Sequence, residues 1–201
     1  MADVWLERMI YSARGYWWGM AGDLAGVTAC LMLTVHYRSG SIAAAAAFAV
    51  FGFTSWGLLE YVIHRWILHG PSSMAKRGHA RHHADGTALI GTPALVAPAA
   101  AVLLWTMLAA TCGPGVGSAL MFGLYAGYNQ YALVHHWQHG GHASVPYLTK
   151  LERSHRIHHV RPVVNYGVTT RLWDRVFGTC AATYSRADAV TAVRRRMPGG
   201  R

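Results

Sequence analysis

Apolar and polar positions alternate in this chain as blocks rather than as single residues, and the blocks predict helices. Residues 19–37, 42–59, 93–110 and 115–134 each approach or match the roughly 20 apolar residues that a helix needs to cross a bilayer. No Asp, Glu, Lys or Arg occurs over residues 39–59 or 86–134, lengths that exceed an ordinary soluble core helix. The pattern predicts an all-α integral membrane protein with four spanning helices. The first stretch is the weakest of the four because it contains Asp23 and several glycines.

The polar residues between these blocks sharpen the picture. A helix running from residue 42 to 69 would be about 40 Å long against a hydrocarbon core of about 30 Å, so its end should project beyond the membrane. Gly70-Pro71 stops it, since proline lacks the N–H a helix needs. The uncharged connector over residues 112–117 contains three glycines and a proline, which suits a hairpin on the far side. Residues 1–18 read as an interfacial entry anchored by Trp5, Trp17 and Trp18, and residues 184–201 as a basic tail. One domain over 1–201 is expected.

Charge then orients the whole. The net charge of +10 resides in segments flanking the apolar runs rather than on an aromatic-interleaved face, which disfavours nucleic acid as a partner. Four crossings place the N-terminus, the connector after His69 and the C-terminal region on one side. That side holds most Lys and Arg and is therefore expected to be cytoplasmic. Cys30, Cys112 and Cys180 form no paired motif, so no disulfide framework is expected.

Thirteen histidines carry the candidate chemistry, and ten fall in clusters at the cytoplasmic ends of the spans: His64 and His69; His79, His82 and His83; His135 and His139; His155, His158 and His159. The word H-x-x-H-H occurs twice, and its i, i+3 and i+4 positions share a helix face, so each triplet is expected to converge on one point. Neutral imidazole binds divalent transition metals, and ten rings suit two ions. His64 and His69 lie about 140° apart on a straight helix; they share a site only if the last turn unwinds. His136 and His142 compete with His135 and His139 for the third cluster, and the i, i+4 pair His135/His139 ranks first. Glu60 and Asp174 are placed to hold a ligand's second ring N–H, with an ion pair, to Arg65 in the case of Glu60, as the plainer alternative. Asn165 and Tyr166 are candidates for a substrate path or for a helix-ending turn before Gly167.

Taken together, EYVIHRWILH, HARHH, HHWQH, HRIHH and NYGVTTRLWDRVFGT resemble in order and spacing the fatty acid hydroxylase superfamily, over about residues 55–179. The resemblance implies a four-helix membrane base under a cytosolic helical cap that holds two metal ions, iron in the active enzymes with zinc possible in purified protein, and O2-dependent hydroxylation of a C–H bond in a fatty acyl chain. A separate electron donor of cytochrome or ferredoxin type is implied because no haem-binding domain is fused. A hydroxylase or desaturase of a sterol-like, hopanoid or carotenoid lipid is the rival enzyme. A non-catalytic zinc-binding membrane protein is the rival from another class.

Overall fold

The computed structural model describes residues 12–38, 40–140 and 144–181. The expected tail over 184–201, most of the N-terminal entry segment and His142 lie outside the described residues. Among the described residues seven α-helices follow in order: α1 Ala13–His36, α2 Ile42–Val62, α3 Met74–Ala84, α4 Val96–Cys112, α5 Pro114–Gly140, α6 Pro146–Val160 and α7 Leu172–Val176, with a π-helical segment, Ile63–Leu68, extending α2. No strand occurs among the described residues. Serines set three of the starts, because a side-chain oxygen at this position satisfies an otherwise orphan N–H. Ser12 accepts from the Gly15 N–H at 3.0 Å, Ser41 from Ala44 at 3.1 Å and Ser73 from Lys76 at 3.1 Å.

Helices α1 and α2 with its extension are long and apolar enough to cross a membrane, and α4 is a shorter apolar helix. The α4–α5 connection is tighter than the expected connector over 112–117. Gly113 at φ 83° turns the chain alone, and Pro114 already opens α5. Only glycine takes that backbone readily, and proline is pre-set for a first helical position. Residues 13–18, expected at the interface, form the opening turns of α1, with Trp17 and Trp18 exposed.

Helix α5 is the central post, packed against α1, α2 and α4. Its glycines allow this. A Cβ at Gly123 would stand 1.8 Å from the Ala49 carbonyl oxygen of α2, and one at Gly52 of α2 would stand 2.2 Å from the Leu120 carbonyl oxygen. Small residues at the seam with large apolar side chains outside is the arrangement of helices packed in lipid. Leu31, Met32, Phe51, Val102, Leu103 and Met107 accordingly point outward. Gly123→Ala is expected to destabilise the protein by about 3 kcal/mol, the upper end for overpacking, because a backbone oxygen cannot rotate aside. The thermal midpoint in detergent checks this.

Candidate metal centre

The stretch from α2 into the π-helical segment brings the first two histidines together. Each π turn holds one residue more than an α turn, and the His69 N–H bonds the His64 carbonyl at 3.1 Å, five residues back. A π turn of this kind brings residues five apart onto one face. The expected unwinding is therefore a widening, and it leaves the backbone hydrogen-bonded. His69 and His64 rings lie 5.1 Å apart between centroids.

All ten clustered histidines meet, in two groups of five. His64, His69, His79, His83 and His158 form one; His82, His135, His139, His155 and His159 form the other, and within each the candidate ligand nitrogens lie within 4.8 Å of one another. Each H-x-x-H-H triplet is divided between the groups, against the expectation that it converges on one point. Helix geometry gives the reason: residue i+4 sits about 40° from residue i, whereas i+3 sits about 60° away on the opposite side. The i, i+4 pairs His79/His83 and His155/His159 therefore stay together. His82 and His158 cross to the other group. The groups adjoin where the His83 and His159 rings stack at 4.3 Å and 14°.

Two backbone carbonyls fix the tautomers. The loop after α6 accepts a hydrogen bond from His64 Nδ1 at the Tyr166 oxygen and from His158 Nδ1 at the Val164 oxygen, the latter at 2.8 Å. A carbonyl can only accept, so the proton of each ring sits on Nδ1 and the lone pair on Nε2. Those bare nitrogens face more nitrogens. His69 Nε2 is 3.0 Å from His158 Nε2 and 2.9 Å from His79 Nε2, and His83 Nε2 is 3.1 Å from both. In the second group His155 Nε2 is 2.8 Å from His139 and 3.1 Å from His159.

Crowded lone pairs of this kind repel unless a cation sits among them. Nitrogens bonded at about 2.1 Å and at right angles lie about 3.0 Å apart, which matches the observed edges. His82 supplies a second sign, since both its ring nitrogens are buried without a hydrogen-bond partner. Burial holds the imidazole of His82 down at about 3, with the charges of His139 and His83 adding to it. Burial first and the neighbouring imidazoles next push His79, His155, His158 and His159 down as well. The rings are neutral at pH 7 and fit a pair of metal ions.

The carboxylates do something other than hold imidazoles. Glu60 accepts from the Val168 and Thr169 N–H groups and from the Thr169 hydroxyl, and Arg65 donates to the Tyr61 hydroxyl at 2.8 Å instead of pairing with Glu60. Asp174 accepts from the Tyr166 N–H at 2.8 Å, the Gly167 N–H at 2.9 Å and the Thr179 hydroxyl at 2.8 Å. Both carboxylates thus pin the loop whose carbonyls orient His64 and His158. They act on the rings at one remove. Burial pushes the Asp174 carboxyl up, opposed by these three donors.

Asn165 and Tyr166 do not line the main cavity. Asn165, fully buried at φ 55°, donates to the Ser154 and Ala181 carbonyls and accepts from the Ala181 N–H. It closes the loop, in a left-handed conformation that asparagine tolerates. The Tyr166 ring packs on His64, His69 and His158. His136 stands outside both groups, its Nδ1 2.9 Å from the Tyr16 hydroxyl.

A cavity of about 410 Å³ opens from His64, His79, His82 and His135 and descends between α1, α2, α4 and α5. Leu59, Ile63, Val96, Ala100, Leu104 and Met121 are among the apolar side chains of its wall. Neither the cavity nor the loop carbonyls leave a mark in the sequence; backbone acceptors have no residue signature.

Residues 49–179 match the family described as fatty acid hydroxylase, and this chain belongs to that family. It is 29% identical over 180 residues to a dihydroceramide fatty acyl 2-hydroxylase of Arabidopsis thaliana, covering 84% of this chain and 75% of the relative. The ceramide very long chain fatty acid hydroxylase scs7 of Schizosaccharomyces pombe is 33% identical over 149 residues, 67% of this chain and 42% of the relative. A fatty acid 2-hydroxylase of Mus musculus is 27% identical over 191 residues, 88% of this chain and 50% of the relative. The chain thus spans half or less of the last two. The solved structure of scs7p, in which only the hydroxylase domain is visible, superposes with a TM-score of 0.71 at 23% identity over 83% of this chain and 67% of that one, so the fold is shared. The family anticipated from the order of the histidine motifs is the one found.

Proposed function

We propose that this chain is a membrane-bound non-haem di-iron monooxygenase that inserts one oxygen of O2 into a C–H bond of a fatty acyl chain. The observation that carries the reading is the placement of two five-imidazole groups over the mouth of an apolar cavity. Five nitrogen donors per group exceed the four of a closed structural zinc site, which favours iron. Bound iron would supply the redox chemistry, reduction of dioxygen and oxidation of the C–H bond, with electrons from a separate cytochrome or ferredoxin-type carrier. Helices α1, α2, α4 and α5 are the four crossings. The positive-inside rule puts the histidine groups and both termini in the cytoplasm.

The chain's own residues hold, orient and dry the site. His64 and His158 keep Nε2 bare through the carbonyls they donate to. Leu59, Ile63 and Val96 line the path with hydrocarbon, so the acyl chain enters while bulk water is excluded, and one carbon is held at the metals. Relatives named as fatty acyl 2-hydroxylases point to the carbon beside the carbonyl.

Lipid extracts of cells with and without the gene test this, together with metal content of anaerobically purified protein. An acyl chain heavier by one oxygen and iron in the protein support the reading. An altered ring lipid transfers it to sterol-like, hopanoid or carotenoid chemistry. Unchanged lipids with tightly held zinc leave a structural metal protein.

A further inference from the structure

Asp23 is a carboxylate in the interior of α1, 5% exposed, and the histidine groups do not use it. Its two oxygens accept from two hydroxyls of α5, Tyr125 at 2.9 Å and Tyr128 at 3.0 Å. Asp23, Tyr125, Tyr128 and Thr92 all line the main cavity, whose surroundings here include Met20, Ala97, Leu104 and Met121. Besides Tyr16, Glu60 and Tyr131, the cavity wall thus carries a polar cluster set among apolar side chains.

Its chemistry is one-sided. Both tyrosine protons are spent on the carboxylate, so what the tyrosines and Asp23 keep for the cavity are lone pairs. A ligand group that satisfies them must donate a hydrogen bond, and a carboxylate or ester carbonyl would be repelled. Position is set by two helices independently. Asp23 lies seven residues from Tyr16, which bonds His136 beside the second histidine group, and Tyr128 lies seven residues before His135. Each separation is about 10 Å along a helix. An ionisable residue at this depth is costly and marks a functional pathway when it faces a cavity.

We infer that Asp23, held by Tyr125 and Tyr128, is a specificity-determining site for a hydroxyl carried on the lipid about 10 Å from the oxidised carbon. This rests on the cavity of the proposed function being the lipid path. The substrate is then a hydroxyl-bearing chain rather than a plain one, entering with its carboxyl or amide end at the histidines. A site whose free lone pairs face the path discriminates against the analogue lacking the hydroxyl, because the analogue forgoes a hydrogen bond to a charged acceptor.

The test measures binding of decanoic acid and its ω-hydroxy counterpart to the metal-loaded protein in detergent, by ligand-induced shift of the thermal midpoint. The parent is expected to prefer the hydroxylated probe by about tenfold or more, as for a hydrogen bond to a charged acceptor. In Asp23→Asn that preference should collapse while affinity for the plain acid and metal content stay near the parent's. Tyr128→Phe, which leaves the Tyr125 bond in place, should weaken the preference and serves if Asp23→Asn does not fold. Equal binding of both probes by the parent overturns the inference, as does a preference that survives both substitutions. A parent that hydroxylates plain acyl lipids without probe preference sinks this site alone. A parent with the preference but no oxidised lipid sinks the hydroxylase reading instead.

Discussion

His158→Ala is expected to reduce bound metal from about two ions per chain toward one and to lower hydroxylated product to below about 1% of the parent. The ring is fully buried, and its Nε2 faces those of His69 and His83 at 3.0 and 3.1 Å while Nδ1 is fixed on the Val164 carbonyl. Losing a residue that merely orients a ligand already costs roughly 10–100-fold in metal affinity, so removing a central nitrogen of a five-member group exceeds that. Metal analysis and lipid mass spectrometry on the same preparation check it. His136→Ala is the control, because His136 bonds Tyr16 and stands outside both groups; it should retain both metals. Unchanged product from His158→Ala would remove this histidine from the chemistry, and metal loss from His136→Ala would reopen the choice between it and its neighbours.

The helices and the ten histidines were legible in the sequence because both follow from periodicity: uncharged apolar length marks a span, and i, i+4 spacing marks a shared face. The partition of the triplets required comparing angles. Within His79, His82 and His83 the 40° pair stays together and the third ring turns to the other group. The π segment was half legible. A five-residue spacing at the end of a long helix shows that a regular α-helix fails, and only the structure shows that the backbone widens rather than breaks.

What stayed hidden were contacts whose partner is backbone. Glu60 and Asp174 were visible as scarce acids near histidines, yet nothing in a sequence distinguishes a carboxylate that grips an imidazole from one that grips the N–H groups of a loop. Asn165 reads equally as a cavity residue or a turn until its φ of 55° and its bonds to Ala181 are seen. Asp23 was legible only as a flaw in the first span. The tyrosines that accommodate it stand more than 100 residues away.

Asp174→Asn is the second substitution with a large expected effect, and it separates folding from positioning. Three donors converge on this carboxylate, the N–H groups of Tyr166 and Gly167 and the Thr179 hydroxyl. An asparagine keeps one acceptor oxygen but turns an N–H₂ toward a buried N–H. Leaving that donor unsatisfied and weakening charged hydrogen bonds should destabilise the protein by about 3 kcal/mol. Relief by shifting the loop is obstructed, because Gly167 packs so closely that even a Cβ there would stand 2.0 Å from the Thr170 carbonyl oxygen. The same loop presents the Tyr166 and Val164 carbonyls to His64 and His158, both in the first histidine group. Metal affinity should therefore fall roughly 10–100-fold at that group, with the second group much less affected. Stepwise chelation followed by metal analysis reads the two sites separately. Equal loss from both would mean that Asp174 supports the fold alone, whereas selective loss from the first identifies the loop as the element that keeps two of its five nitrogens aimed.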